Sequence, residues 1–151
     1  MRKRCKRKVW ALIDPIRHAI DGVRVTSTAK LDQVRMLELS SIEAFAKGRA
    51  TINDWGCINS LLTMVETMSR GGVGPEALET CALAQTTLIE SARRCEATQK
   101  MGTTGQGLQA FRDLYAWHDL QRTCISLSEY ERWIQTSIKR SKSRAPEVVE
   151  L

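Results

Sequence analysis

Apolar residues recur every three or four positions along most of this chain, which is the spacing that places side chains on one face of an α-helix. The two-residue alternation of a β-strand does not appear, and no internal repeat emerges. The pattern predicts a short helix over 15–21 and five longer ones, over 29–46, 52–70, 76–99, 106–124 and from residue 126 into the C-terminal basic segment. We therefore expect an all-α fold, a single-domain helical bundle of about five main helices.

The joint AKGRATINDWGC (46–57) could be either a hinge or the turn of a DNA-binding helix-turn-helix. Gly48 ends one helix, and Thr51 followed three residues later by Asp54 forms a capping box that starts the next. That next helix carries no Arg or Lys before Arg70, whereas a recognition helix needs such residues to read bases. The joint is therefore predicted to be a hinge between packed helices.

The apolar positions also predict which side chains form the core. For the helix over 29–46, the predicted inward face is Leu31, Val34, Met36, Leu39, Ile42 and Phe45. The helix over 52–70 has a broad apolar arc, which is typical of a central helix with several neighbours. The larger side chains expected to be mostly buried are Trp55, Leu62, Leu88, Phe111, Tyr115 and Trp133.

Length and composition agree with one helical domain. The chain has 151 residues, 42% of them hydrophobic, which is enough for a single core. Near the N-terminus, the apolar run VWALI is shorter than the about 7–15 residues of a signal peptide's hydrophobic region. No run approaches the roughly 18 apolar residues of a membrane span. The five cysteines are odd in number and lack C-x-x-C spacing, so we predict a cytoplasmic protein that does not contact a membrane.

Positive charge is concentrated near the two ends of the chain. Ten of the 23 basic residues lie there, namely Arg2, Lys3, Arg4, Lys6, Arg7, Lys8, Lys139, Arg140, Lys142 and Arg144. Only two of the 17 acidic residues, Glu147 and Glu150, share these end segments. The body between them therefore carries 13 basic and 15 acidic residues, a charge of about −2, although the net charge of the chain is +6.

Two interpretations of the basic ends stay open. They could contact nucleic acid or an acidic partner, or they could be solvated segments that keep the protein soluble. With the helical pattern, the charge distribution divides the chain into a basic N-terminal arm (1–9), a helical bundle domain (10–141) and a flexible C-terminal tail (142–151).

Candidate catalytic residues are few. His118 and Asp119 match the central pair of metal-dependent HD phosphohydrolases, but the only other histidine is His18. Adjacent helical residues point about 100° apart and do not converge on one ion. His118 continues the apolar face of its helix, which favours a hydrogen-bonded, half-buried histidine. The glycine-rich loop over 100–107 lacks the Gly-Lys-Ser/Thr ending of a phosphate-binding loop. We predict no catalytic residue, no metal site, no cofactor and no enzymatic activity.

Several stretches resemble a family of small uncharacterised accessory proteins encoded by phages, prophages and other mobile elements of proteobacteria. They are KGRATINDW, GVGPEAL, an RR pair near residue 93, TGQGLQAF and HDLQRTCISLSEYERW, within roughly residues 10–138. The resemblance transfers no catalytic residue to this chain. It implies a context, since accessory genes of mobile elements often encode small proteins that bind a host factor, as anti-CRISPR proteins and other anti-defence proteins do.

The resemblance implies a non-enzymatic protein that inhibits a bacterial defence complex, such as a CRISPR effector, by stoichiometric binding in the host cytoplasm. The expected protein contacts are Trp10, Arg49 and Trp117, because aromatic and Arg side chains often anchor such interfaces. The alternative is a nucleic-acid-associated regulator that uses the basic arms, and a lesser one is a helper of phage replication. The sequence leaves the oligomeric state open, including a homodimer.

Overall fold

The computed structural model describes residues 29–144 of the protein. Within this range lie five α-helices: α1 (Ala29–Ala46), α2 (Ile52–Arg70), α3 (Leu78–Thr98), α4 (Gly105–Cys124) and α5 (Leu127–Arg144). No strand occurs among these residues, where the only β-type pairing is the isolated bridge between Ala50 and Met101. The prediction of an all-α bundle is confirmed. None of the helices in this part of the chain is long and apolar enough to cross a membrane.

Some predictions concern other parts of the chain. The helix over 15–21, the basic arm over 1–9 and Trp10 lie outside the described residues, as do residues 145–151. At the other end, α5 continues to Arg144, so the first three residues of the predicted tail over 142–151 are helical. The boundary was set too early because the basic segment has no apolar residue to continue the period.

The central helix is α2, which packs against α1, α3, α4 and α5. Its buried apolar side chains are Ile58, Leu61, Leu62, Val65 and Met68. These positions cover more than one face of the helix, which agrees with the broad apolar arc read from the sequence. The other four helices are therefore positioned around α2.

The predicted capping box at the start of α2 is confirmed. The Thr51 hydroxyl accepts a hydrogen bond from the Asp54 backbone N–H, and the Asp54 carboxylate accepts one from the Thr51 N–H at 2.8 Å. Gly48, in the preceding turn, has φ 65°, a left-handed conformation that costs glycine little. The joint between α1 and α2 is a short turn that folds the two helices against each other.

Helix α3 begins slightly later than predicted. Pro75–Ala77 forms a 3₁₀ turn, and the α-helix runs over Leu78–Thr98. Helix α4 begins at Gly105, where the hydroxyl of Thr104 accepts a hydrogen bond from the Gly107 N–H at 3.1 Å.

We call the largest cluster of buried hydrophobic side chains the apolar core, and it joins α1, α2, α3 and α4. Phe111 is fully buried at its centre, and its ring meets that of Phe45 edge-on with centroids 5.1 Å apart. The expected burial of Leu62, Leu88 and Phe111 is confirmed.

Trp55, Tyr115 and Trp133 are partly buried and pack against the edges of the buried clusters, whereas the other three are buried. Trp55 lies at the edge of the core, where its indole N–H donates to the backbone oxygen of Leu88 at 2.9 Å. The ring of Trp133 lies over Gly71, where any Cβ would collide with it. A large ring whose polar atom reaches a partner is commonly placed at such an edge, as Trp55 is.

The predicted inward face of α1 is wrong over its N-terminal half. Val34, Met36 and Leu39 are 40%, 67% and 43% exposed. Glu38 is buried instead, together with Ile42 and Phe45 further along the helix. The cause is tertiary, because α4 presents a buried arginine to this part of α1 and an acidic side chain must face it.

Candidate functional site

An open apolar groove is present on the surface of the described residues. It lies between α1 and α5, with α2 as its floor, and its volume is about 1250 Å³. The six side chains that define it are Val34 and Leu37 of α1, Leu61 and Met64 of α2, and Ile134 and Ile138 of α5. We refer to this feature as the groove.

The groove has the dimensions of a short helix. On α1 its lining extends from Ala29 to Glu38, which is about 14 Å at 1.5 Å per residue. On α5 it extends from Leu127 to Lys142, which is about 22 Å by the same rise. An α-helix of about 10–15 residues covers this length.

The walls of the groove expose large apolar side chains. Leu37 is 63% exposed and Ile138 is 42% exposed. Fully covering a side chain of this kind contributes about 1.5–3 kcal/mol. The charged residues at the rim, Lys30, Glu131 and Lys142, have both signs. Apolar contact therefore dominates what this surface offers to a partner.

Beneath the groove lies a set of buried polar side chains that we call the polar layer: Glu38, His118, Gln121, Arg122 and Tyr130. Arg122 donates to both carboxylate oxygens of Glu38, at 2.8 and 3.3 Å. Burial raises the pKa of Glu38, and the hydrogen bonds and charge of Arg122 oppose that rise. Arg35 of α1 also donates to Asp119 of α4 at 2.8 Å. These ion pairs fasten the N-terminal half of α1 to α4.

The hydrogen bonds of Gln121 determine the protonation of His118. The Gln121 amide N–H₂ lies within 3.3 Å of the backbone oxygens of Val65 and Val73, which only accept hydrogen bonds. Its amide oxygen therefore faces His118 Nδ1, at 3.3 Å. Nδ1 must carry the proton, so Nε2 accepts from the hydroxyl of Tyr130 at 3.1 Å. His118 is held as a neutral imidazole.

The surroundings of His118 oppose its ionisation. The side chain is 1% exposed. Burial is the main cause that lowers the pKa of His118 to about 3, and the nearby positive charge of Arg122 adds to the effect. Both ring nitrogens are engaged within the bundle. The predicted hydrogen-bonded histidine is therefore confirmed, although its burial is complete rather than partial.

The predicted partner-contact residues are spread over the molecule. Arg49 is exposed in the joint between α1 and α2. Trp117 is half-buried against the apolar core, and it also lies beside Gly74 in the turn before α3. The structure does not bring Arg49 or Trp117 into the groove.

The predicted basic contacts on α5 differ from one another. Lys139 and Lys142 are exposed, and Lys142 lies at the rim of the groove. Arg140 pairs with Glu66 at 2.9 Å and donates to the Thr67 hydroxyl at 3.3 Å. Its charge therefore holds α5 against α2. Arg144 ends α5. The remaining predicted basic contacts, at positions 2–8, lie outside the described residues.

Sequence reasoning missed the groove itself. The sequence pattern placed Val34 on the predicted inward face of α1, and it gave Leu37 and Ile138 no role at a surface. The available signal was an excess of apolar residues on α1, where Val34, Met36, Leu37 and Leu39 cannot all face inward on one helix.

Comparison of the chain with protein-family models, curated proteins and solved structures finds no match. Among residues 29–144, no cluster of three or more His, Cys, Asp or Glu side chains could hold a metal ion.

Proposed function

We propose that this chain is a non-enzymatic accessory protein of a phage or other mobile element, and that it acts by stoichiometric binding to a protein in the bacterial cytoplasm. The groove is the observation that carries this proposal. Its apolar walls and its length suit an amphipathic helix of the partner, a recognition mode in which apolar residues at helical spacing fill a groove between helices.

The polar layer supports a binding role over a catalytic one. Both carboxylate oxygens of Glu38 accept from Arg122, and both ring nitrogens of His118 have partners inside the bundle. With the pKa of His118 lowered to about 3, its imidazole is a weak base at neutral pH. These groups brace the groove from below, and its surface is left mainly apolar.

The partner that we propose is a component of a bacterial defence complex, such as a CRISPR effector, which the protein inhibits. Two features of the sequence support this choice: the resemblance to mobile-element accessory proteins, and a body with a charge of about −2 between basic ends. A slightly acidic body suits docking on the positively charged surfaces of nucleic-acid-processing complexes.

The test is a phage challenge in bacteria that carry an active CRISPR system. The intact protein should restore growth of a targeted phage, and the effect should increase with the ratio of protein to effector. Leu37→Asp should abolish it, because a charge in the wall of the groove would be buried without a partner. The matched control is Leu83→Asp, at a 52% exposed position of α3 outside the groove, which should retain activity.

Three outcomes would contradict the proposal. Equal activity of the Leu37→Asp and Leu83→Asp variants would remove the groove from the mechanism. If Arg49→Glu abolished activity while Leu37→Asp did not, the interface would lie at the α1–α2 joint. If the intact protein gave no protection but bound a specific promoter, it would be a nucleic-acid regulator.

A further inference from the structure

The end of the groove coincides with the start of the described chain. Ala29 and Lys30, the first two residues of α1, line the groove, and 28 residues of the sequence precede them. The described part of the chain therefore begins at the edge of the groove. Any apolar segment shortly before residue 29 is tethered beside the groove.

Such a segment is present in the sequence. Residues 9–20 read VWALIDPIRHAI and contain eight apolar residues among twelve. The six large ones are Val9, Trp10, Leu12, Ile13, Ile16 and Ile20. The next eight residues, 21–28, contain a glycine and three hydroxyl side chains. An extended chain of that length reaches about 26 Å, which exceeds the length of the groove along either wall.

We propose that residues 9–20 of this chain dock in the groove and cover its apolar walls. Tethering by a short connector gives such a segment an effective concentration in the millimolar range. A second copy of the protein, or a free partner, at micromolar concentration is at a large disadvantage for the same surface. The groove rim carries charges of both signs and so does not favour an occupant of one charge. The occupant is therefore selected by apolar contact, and residues 9–20 supply apolar side chains.

The docking of residues 9–20 does not depend on the proposed function, and it can be tested on the purified protein alone.

Cys57 provides a probe inside the groove. Its side chain lines the groove and is half-buried. Two further free thiols serve as internal references: Cys124 is exposed and outside the groove lining, and Cys81 is buried in the apolar core. The experiment measures the rate at which N-ethylmaleimide alkylates each cysteine of the full-length protein, by peptide mass spectrometry.

The test variant is Leu12→Asp combined with Ile16→Asp, which places two charges in the docking segment. The control is Ser27→Asp combined with Thr28→Asp, which adds the same charge next to α1. We expect the rate of Cys57 alkylation to rise about tenfold in the test variant, which corresponds to a loss of about 1.4 kcal/mol in the free energy of docking. It should not change in the control variant. The rates of Cys124 and Cys81 should stay constant in both.

Equal Cys57 rates in the intact protein and the test variant would overturn the proposal. So would Cys57 protection that disappears on dilution, because that would show a second copy as the occupant. If Cys81 also became reactive, the double substitution would have unfolded the bundle. The milder variant Leu12→Ala with Ile16→Ala would then be used, and an unchanged rate of Cys57 alkylation in it would overturn the proposal. Since no partner is present, these outcomes are independent of the phage challenge.

Discussion

The apolar core and the polar layer are two neighbouring interiors that are built differently. Around Phe111 and Phe45, the buried faces of four helices meet through apolar contact, and the two aromatic rings pack edge-on. The polar layer instead holds the Glu38–Arg122 ion pair between α1 and α4, and the hydrogen bond between neutral His118 of α4 and Tyr130 of α5. The apolar core is stabilised by the area it buries, whereas the stability of the polar layer depends on keeping the Glu38–Arg122 ion pair and the hydrogen bonds of His118.

The difference between the apolar core and the polar layer explains the position of the groove. In the apolar core, the large side chains of each helix point inward. In the polar layer, Glu38 occupies the inward position of α1, so Val34 and Leu37, which both lie to one side of it around the helix, are directed to the groove. The buried ion pair and the apolar surface are thus two consequences of the same rotation of α1.

The largest expected effect is in the apolar core. Phe111→Ala should lower the free energy of unfolding by about 3–5 kcal/mol, because it removes a fully enclosed ring and leaves a cavity against Phe45. Chemical denaturation measures it. The control Leu83→Ala, at an exposed position of α3, should cost less than about 1 kcal/mol. A loss that small for Phe111→Ala would show that the ring is not the centre of the core.

The next largest effect is in the polar layer. Glu38→Ala leaves the buried Arg122 guanidinium without its main partner and should cost about 3 kcal/mol. That value lies at the low end for such a change because Asp119 lies 3.8 Å from Arg122 Nε. Combining Glu38→Leu with Arg122→Met removes both charges and should recover most of the loss, as measured by denaturation.

The recovery of stability in the double variant distinguishes the polar layer from the apolar core. Truncating both Phe45 and Phe111 should not recover stability, because each change only enlarges a cavity. If the Glu38 and Arg122 substitutions proved additive, the ion pair would not be a coupled unit, and the distinction between the two regions would fail.

The smallest of the three effects depends on pH. The pKa of His118 is about 3 in the folded state, against about 6.5 in an unfolded chain. Between these values the unfolded state binds a proton that the folded state does not, so stability is present above pH 6.5 and is lost as pH falls toward 3. From pH 7 to pH 5 the loss from this group should be about 2 kcal/mol.

Denaturation of the intact protein and of His118→Gln at both pH values isolates this contribution, since the other titrating groups are common to both. The glutamine variant should show a loss smaller by about 2 kcal/mol over that interval. An identical pH dependence would mean that His118 can be protonated in the folded bundle, which conflicts with its burial among uncharged hydrogen-bond partners and Arg122.

How far the sequence predicts the fold can be followed along α1. The true inward face passes through Arg35 and Glu38 to Ile42 and Phe45, which is regular helical spacing. The apolar pattern did not identify the two charged positions, and it predicted the neighbouring apolar ones instead. In α4, by contrast, the inward positions Phe111 and Leu114 are apolar, and the predicted burial of Phe111 is confirmed.

The sequence by itself determined the helices and their starts, because apolar spacing and capping residues act within one or two turns of the chain. Thr51 and Asp54 form their capping box only three residues apart. Only the tertiary structure decided the rotation of α1 and the existence of the groove. A glutamate is buried when a positive partner compensates its desolvation, and the partner of Glu38 is Arg122, 84 residues further along the chain.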